Sequence, residues 1–194
     1  MFEEDELDAL APAIRRRDSD AFVRLYDLMA GELLAFAQGH LRYREVAAEV
    51  VQSTFLQLAR HGPRFRGGGR GLVAWLFATT RRACVDHHRH LTTPDPDPGS
   101  DDPAGTRSAS VRSPATVHDP ELARAMDQLT ESQRTALLLR RVIGLAADDV
   151  ARIMHLDRDA ASALCRRAEA ALGRTLAATA VRDPVTVARP EGGA

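Results

Sequence analysis

Between residues 22 and 36 large apolar side chains return every three or four positions: Phe22, Leu25, Tyr26, Met29, Leu33 and Phe36. That spacing places them along one side of an α-helix. Asp18-Ser19-Asp20 stands just before it and offers side-chain acceptors to open it. The period returns over 44–60 with Val46, Val50, Phe55 and Leu58, and over about 72–90 with Leu72, Trp75, Leu76, Ala83 and Val85. Between those two helices HGPRFRGGGRG reads as a loop. Residues 1–17 form a short lead-in with helical character, acidic first and then basic at Arg15, Arg16 and Arg17. No alternating apolar pattern of useful length occurs, so the fold class expected is all-α.

From Thr92 to Pro120 the periodicity stops. Six of the ten prolines and five aspartates fall there, a composition that predicts a flexible linker. Its 29 residues reach on the order of 95 Å extended and about 30 Å as a loose coil. Helical spacing resumes at Glu121 with Leu122, Met126 and Leu129, and again from Glu131 through Leu137, Leu138, Leu139 and Val142 until Gly144. Ala147–Met154 and Asp159 to about Leu176 give two more helices around the short turn His155-Leu156-Asp157-Arg158. With small Ala151 at the contact, this is helix-turn-helix spacing. The chain thus divides into a lead-in (1–17), a helical domain (18–91), a linker (92–120), a second helical domain (121–176) and a tail (177–194) expected to be disordered.

Charge sharpens this picture. Overall the chain is nearly neutral, with 26 basic and 27 acidic side chains, and every basic one is arginine. Yet residues 60–90 hold seven arginines and four histidines against one acid, Asp86. Such segregation points to one face that takes a polyanion. Cys84 and Cys165 sit in different helical patterns, which argues against a disulfide and for a reducing compartment. No apolar run approaches a membrane span of ~20 residues, and the MFEEDELDAL start is acidic where an export signal is basic. The expected location is the cytoplasm. No metal is expected at His87, His88 and His90, nor any cofactor. No nucleophile, acid–base pair or phosphate loop is evident, and the expectation is a binding protein rather than an enzyme.

Several short strings now carry a resemblance. In the first domain they are Asp20-Ala21-Phe22, Leu25-Tyr26, Ala48-Glu49, Val51-Gln52, Thr54-Phe55-Leu56, Trp75-Leu76-Phe77, Asp86 and Arg89. In the second they are Leu129, Arg134, Gly144-Leu145, Val150-Ala151, Leu156, Arg167-Ala168 and Leu172. Their order and spacing resemble sigma-70 family RNA polymerase sigma factors of the extracytoplasmic-function (ECF) type. The resemblance covers about three quarters of the chain. It implies a first domain like sigma region 2, which binds the β′ clamp helices of core RNA polymerase and melts the −10 promoter element. It implies a second like region 4, which reads the −35 element and docks on the β flap. An anti-sigma factor is a further partner implied by family habit.

The resemblance also assigns residues. Arg64, Arg66 and Arg70 flank Gly67-Gly68-Gly69 in the position of the melting loop, where arginines meet phosphates or stack on bases. Arg81, Arg82, His87 and Arg89 extend the DNA-binding charge along the third helix, while Trp75 reads as core and Phe77 as core or a stacking platform. Glu49, Gln52 and Thr54 match the clamp-binding surface. Ser162, Arg166 and Arg167 are what remains polar on the recognition helix, while the core-facing positions Val150, Met154, Leu156, Ala161, Cys165 and Ala168 stay apolar.

Departures from the family matter here. Arg82 replaces a usual asparagine, Val50 an aspartate and Thr130 a proline. Ala160, Ala163 and Leu164 stand where the family offers polar side chains to DNA, and alanine makes none of the bidentate base contacts that give ~1–3 kcal/mol of discrimination each. Asp157 and Asp159 add negative charge nearby. The expected function is therefore a sigma factor with a weakened or altered −35 reader. Alternatives are a degenerate paralogue that binds polymerase or an anti-sigma factor, and a stand-alone helix-turn-helix repressor. The acids Glu3, Glu4, Asp5, Glu6 and Asp8 are expected to fold back over the basic block.

Overall fold

In the computed structural model the described residues are 4–41, 43–92 and 120–182, without the side chains of Glu4, 89–92, Pro120 and 179–182. Every regular element among them is helical: α1 (Glu4–Arg15), α2 (Ser19–Gln38), α3 (Arg44–His61), α4 (Gly69–Thr92), α5 (Pro120–Asp127), α6 (Glu131–Leu137), α7 (Ala147–Met154) and α8 (Arg158–Arg182). A 3-10 turn, Gly62–Arg64, leads from α3 toward α4, and a π turn, Leu138–Val142, continues α6. The expected linker, apart from its first and last residues, lies outside the described residues, as does the tail from residue 183. The tail was expected to begin at Ala177; instead α8 continues to Arg182, since AATAVR holds neither glycine nor proline to stop it.

Local chemistry explains the helix ends. Asp18 Oδ1 accepts from the N–H groups of Asp20 and Ala21 and so opens α2 as its sequence suggests. Thr130, the residue in place of a proline, caps α6: its hydroxyl accepts from Gln133 N–H and the Gln133 side chain accepts from Thr130 N–H. No glycine follows α7. His155 ends it in the left-handed region (φ 55°), and Asp157 Oδ1 then accepts from Ala160 N–H to start α8. Arg158, expected in the turn, is the first residue of α8.

Packing follows the apolar stripes. Leu25, Met29, Leu33 and Phe36 of α2 meet Val50, Phe55 and Leu58 of α3 and Leu72, Leu76 and Phe77 of α4, all buried. Helix α1 closes this bundle with Leu7, Ala11 and Ile14. The same buried cluster runs on into Leu138, Leu139, Val150, Ile153 and Cys165, so the two helical units share one core across a seam. At Gly39 (φ −69°) a Cβ would lie 2.4 Å from Leu138 Cδ2. Its dihedral suits any residue, so glycine serves the close approach of the second unit rather than a special backbone. A smaller cluster, Leu129, Leu137 and Ala168, holds α6 to α8.

Candidate nucleic-acid interface

The basic loop is pinned from below by α1. Asp8 Oδ1 accepts from Gly69 N–H, the first residue of α4, and Arg15 Nη1 donates to Gly67 O at 3.1 Å. Each glycine has its own reason. Gly67 has φ 149°, unfavourable with a side chain, and a Cβ on Gly69 would lie 2.6 Å from the α1 backbone at Leu7 and Asp8. Gly69 therefore serves a tight fit to α1, and Gly67 a backbone conformation that side chains rarely adopt. Arg64 and Arg66 project from this anchored turn into solvent. Among the expected acids, Asp8 meets the loop backbone and Glu6 pairs with Arg24 on α2. Asp5 is exposed, and Glu3 and the Glu4 side chain lie outside the described residues.

The cations of α4 divide by helical position. Arg70, Ala74, Phe77, Arg81, Cys84 and His88 recur in steps of four and three and share one side of the helix. Arg70, Ala74 and Arg81 on that side meet the second unit, while Phe77 and His88 meet Phe36 and His40 of the first. Arg70 and Ala74 line a cleft of about 260 Å³ with Ile143–Ala146, Asp149 and Ile153. Arg81 grips Glu131 of α6 with Nε–Oε1 at 2.8 Å and Nη2–Oε2 at 3.1 Å. His88 Nε2 lies 2.9 Å from His40 O. Arg82 is off this side and exposed, and His87 is half-buried. Arg89 lies in α4 with its side chain outside the described residues, as does His90.

At the centre of the seam is His40, buried after the end of α2, edge-on to Phe36 with its Nε2 3.3 Å from Thr135 Oγ1. Burial, and then the charge of Arg134, lower its pKa from 6.5 to about 4. Arg81 and His88 of α4 push the same way, whereas Glu131 of α6 opposes them. Hydrogen bonding to Arg81 keeps the Glu131 carboxyl below its usual range. A base with this lowered value holds the seam fully above pH 6.5, loses hold as pH falls toward 4, and loses no more below that. Between pH 7.5 and 5 the loss is about 2 kcal/mol. Urea midpoints should fall accordingly, and His40→Gln should flatten that part of the profile; an unchanged slope would remove His40 from the account.

Three expectations are corrected by burial. Thr54 is not on the exposed face of α3: its hydroxyl donates to Val50 O (3.0 Å) and meets Thr80 Oγ1 (3.1 Å) inside the core. Phe77 is core, edge-to-face with Phe36 at 5.3 Å, which removes it as a stacking platform. Leu156, read as core-facing, is exposed in the turn. Trp75 is half-buried against the core, and Cys84 is buried with its thiol pushed up to about 12 by desolvation, hence unreactive.

Glu49 and Gln52 do lie on the outer face of α3, in line with Glu45 and Leu56. Leu56 is 53% exposed there, and on the adjoining α2 Val23 and Tyr26 are 62% and 51% exposed. Sequence reasoning missed these three. Their signal was present, since Val23 and Leu56 fall outside the apolar stripes of their helices. In the helix-turn-helix, Val150, Met154, Ala161, Cys165 and Ala168 are buried as expected, while Arg166 and Arg167 are exposed and Ser162 is half-buried. Arg158 pairs with Asp148 at 3.0 Å.

Two family models match the halves of the chain: Sigma-70 region 2 over residues 25–93 and Sigma-70, region 4 over 120–172. The chain belongs to the sigma-70 family, in its ECF branch. It is 26% identical over 165 residues to the ECF RNA polymerase sigma factor BldN of Streptomyces coelicolor, covering 82% of this chain and 61% of that protein. The RNA polymerase sigma factor CarQ of Myxococcus xanthus is 28% identical over 146 residues, 73% of this chain and 81% of the relative. In fold the chain is similar to CnrH in its complex with the cytosolic domain of CnrY (TM-score 0.66, 18% identity, 89% of this chain and 98% of that one). It is also similar to the sigma factor RpoE of Bartonella quintana, solved with the anti-sigma factor NepR (TM-score 0.60, 22% identity, 80% and 96%). No helix among the described residues is long and apolar enough to cross a membrane.

Proposed function

We propose that this sigma factor recruits core RNA polymerase to promoters and opens the −10 element for transcription initiation. The observation that carries the reading is the pair Arg64 and Arg66, held exposed on a loop that α1 makes rigid, on the region 2 unit. Two rigidly presented guanidiniums suit the phosphates and unstacked bases of a melted strand. The Val23, Tyr26 and Leu56 patch, rimmed by Glu49 and Gln52, is a surface for the β′ clamp helices. Exposed Val142 and Leu156 suit contact with the β flap. The reaction belongs to the polymerase, and the site of action is the cytoplasm. Because RpoE, similar in fold, was solved with the anti-sigma factor NepR, an anti-sigma partner is part of the proposal.

Reading of the −35 element is proposed to be weak. In the first turns of α8 Ala160, Ser162, Ala163 and Leu164 are all half-buried, Leu164 against the core, and Asp157 is committed to capping the helix. This same observation favours a second reading, a paralogue that binds polymerase without starting transcription. Run-off transcription with core polymerase distinguishes them: specific products that persist when the −35 sequence is scrambled support the first, and no specific product from any template supports the second.

A further inference from the structure

Helix α4 has no capping side chain in its own sequence. Gly68 O accepts from Leu72 N–H at 3.0 Å, the first bond of the helix, so a glycine stands at the capping position. The missing acceptor comes from α1, where Asp8 Oδ1 takes the Gly69 N–H across 61 positions of chain. A Cβ on Gly68 would lie 2.6 Å from Asp8 Oδ1, so this glycine leaves the space that the carboxylate fills. Two turns further along α1, on the same side, Arg15 Nη1 donates to Gly67 O. The helix thus grips the loop at two points about 10 Å apart along its axis. From the other side Phe65 packs against the core in an extended conformation (φ −60°, ψ 134°), and its neighbours Arg64 and Arg66 are both exposed.

We infer that Asp8 is a positioning residue for −10 melting: by capping α4 from α1 it sets the direction in which Arg64 and Arg66 meet the melted strand, and so it promotes DNA binding despite its charge. The inference rests on the reading of those two arginines as strand contacts. Charge alone gives the opposite sign, because an anion on a cationic loop opposes phosphate, and removing it strengthens the attraction. Geometry outweighs that effect here. A guanidinium is a planar fork that needs the right angle to its phosphate or base. A loop released from α1 has to be ordered by the strand itself, and that ordering costs affinity.

The test uses the full chain in complex with core RNA polymerase and a labelled DNA forked at the −10 element. Asp8→Asn removes the charge but keeps an acceptor oxygen that caps as well as a carboxylate, whereas Asp8→Ala removes both. Alanine is the better helix former, so an effect of Asp8→Ala does not come from an unwound α1. Asp8→Ala should weaken fork binding about fivefold, the scale of one lost helix cap, and Asp8→Asn should bind no more weakly than the unaltered chain. Tighter binding in both variants makes Asp8 a covering charge and overturns the inference, and so does an equal loss in both. Unchanged affinity in Asp8→Ala, with Arg64→Ala and Arg66→Ala together still weakening the fork, overturns it and leaves the arginine reading standing. No effect of the arginine pair overturns the reading beneath it. Added to that pair, Asp8→Ala should cost little more; a further loss of about fivefold would mean that Asp8 acts through other groups. Exchange of the Gly69 amide proton in the free chain reads the bond itself. It should quicken in Asp8→Ala and not in Asp8→Asn, and a rate unchanged by Asp8→Ala contradicts the cap.

Discussion

Replacing Leu56 with glutamate should weaken binding of core RNA polymerase by at least 30-fold, about 2 kcal/mol, while leaving the fold intact. Leu56 is half exposed on α3, in line with Glu49 and Gln52, and Val23 and Tyr26 extend the apolar surface onto α2. Tyr26 is held from behind by the ring of Phe55, 4.9 Å between centroids, so part of this patch is rigid before any partner arrives. Rigid apolar side chains with polar surroundings are where binding energy concentrates. A buried unpaired carboxylate at the centre would carry a desolvation penalty with no compensating partner. Urea unfolding should be near that of the unaltered chain, because substitutions at exposed positions without special contacts usually stay within about 0.5 kcal/mol. Unchanged polymerase affinity would move the clamp-binding surface off α3.

The largest effect on stability should come from Phe77→Ala, a loss of about 3–5 kcal/mol. Phe77 is fully buried on α4 and packs edge-to-face on Phe36, in the stretch of core that continues into the second unit. Removing the ring leaves a cavity where α2 and α4 meet. Phe77→Leu fills more of the space and should cost much less. If Phe77 were a base-stacking platform instead, alanine would spare stability and reduce only DNA binding.

Much of the fold was legible because the apolar stripes are long and regular. The 22–36 stripe and its Asp18 cap mark α2 clearly, and Gly144, at φ 78°, marks the break before α7. What remained hidden depended on the third dimension. Thr54 follows Val51 and Val50 at helical steps that also suit the core, but its polarity suggested an outer face; only its bonds to Val50 O and Thr80 make burial affordable. The same holds for Gly68 and Gly69, whose need is set by α1, some sixty residues earlier in the chain, and for Gly39, whose need is set by Leu138. Local sequence carries no trace of such distant neighbours. The seam itself was out of reach for the same reason. Arg81 reads as a solvent-facing cation on α4 until Glu131, across the linker, is seen beside it. Among the candidate site residues, Arg64, Arg66, Arg70, Arg82, Glu49, Gln52, Arg166 and Arg167 are exposed, and Arg81 is engaged within the chain.

The most direct measurement of the central claim is binding of the full chain to core RNA polymerase, followed by binding of that complex to DNA forked at the −10 element. A stable complex should form and hold the fork, and Arg64→Ala with Arg66→Ala should leave polymerase binding intact while cutting fork affinity at least 10-fold. A complex that binds the fork equally well without both arginines, or a chain that fails to bind polymerase at all, would contradict the account.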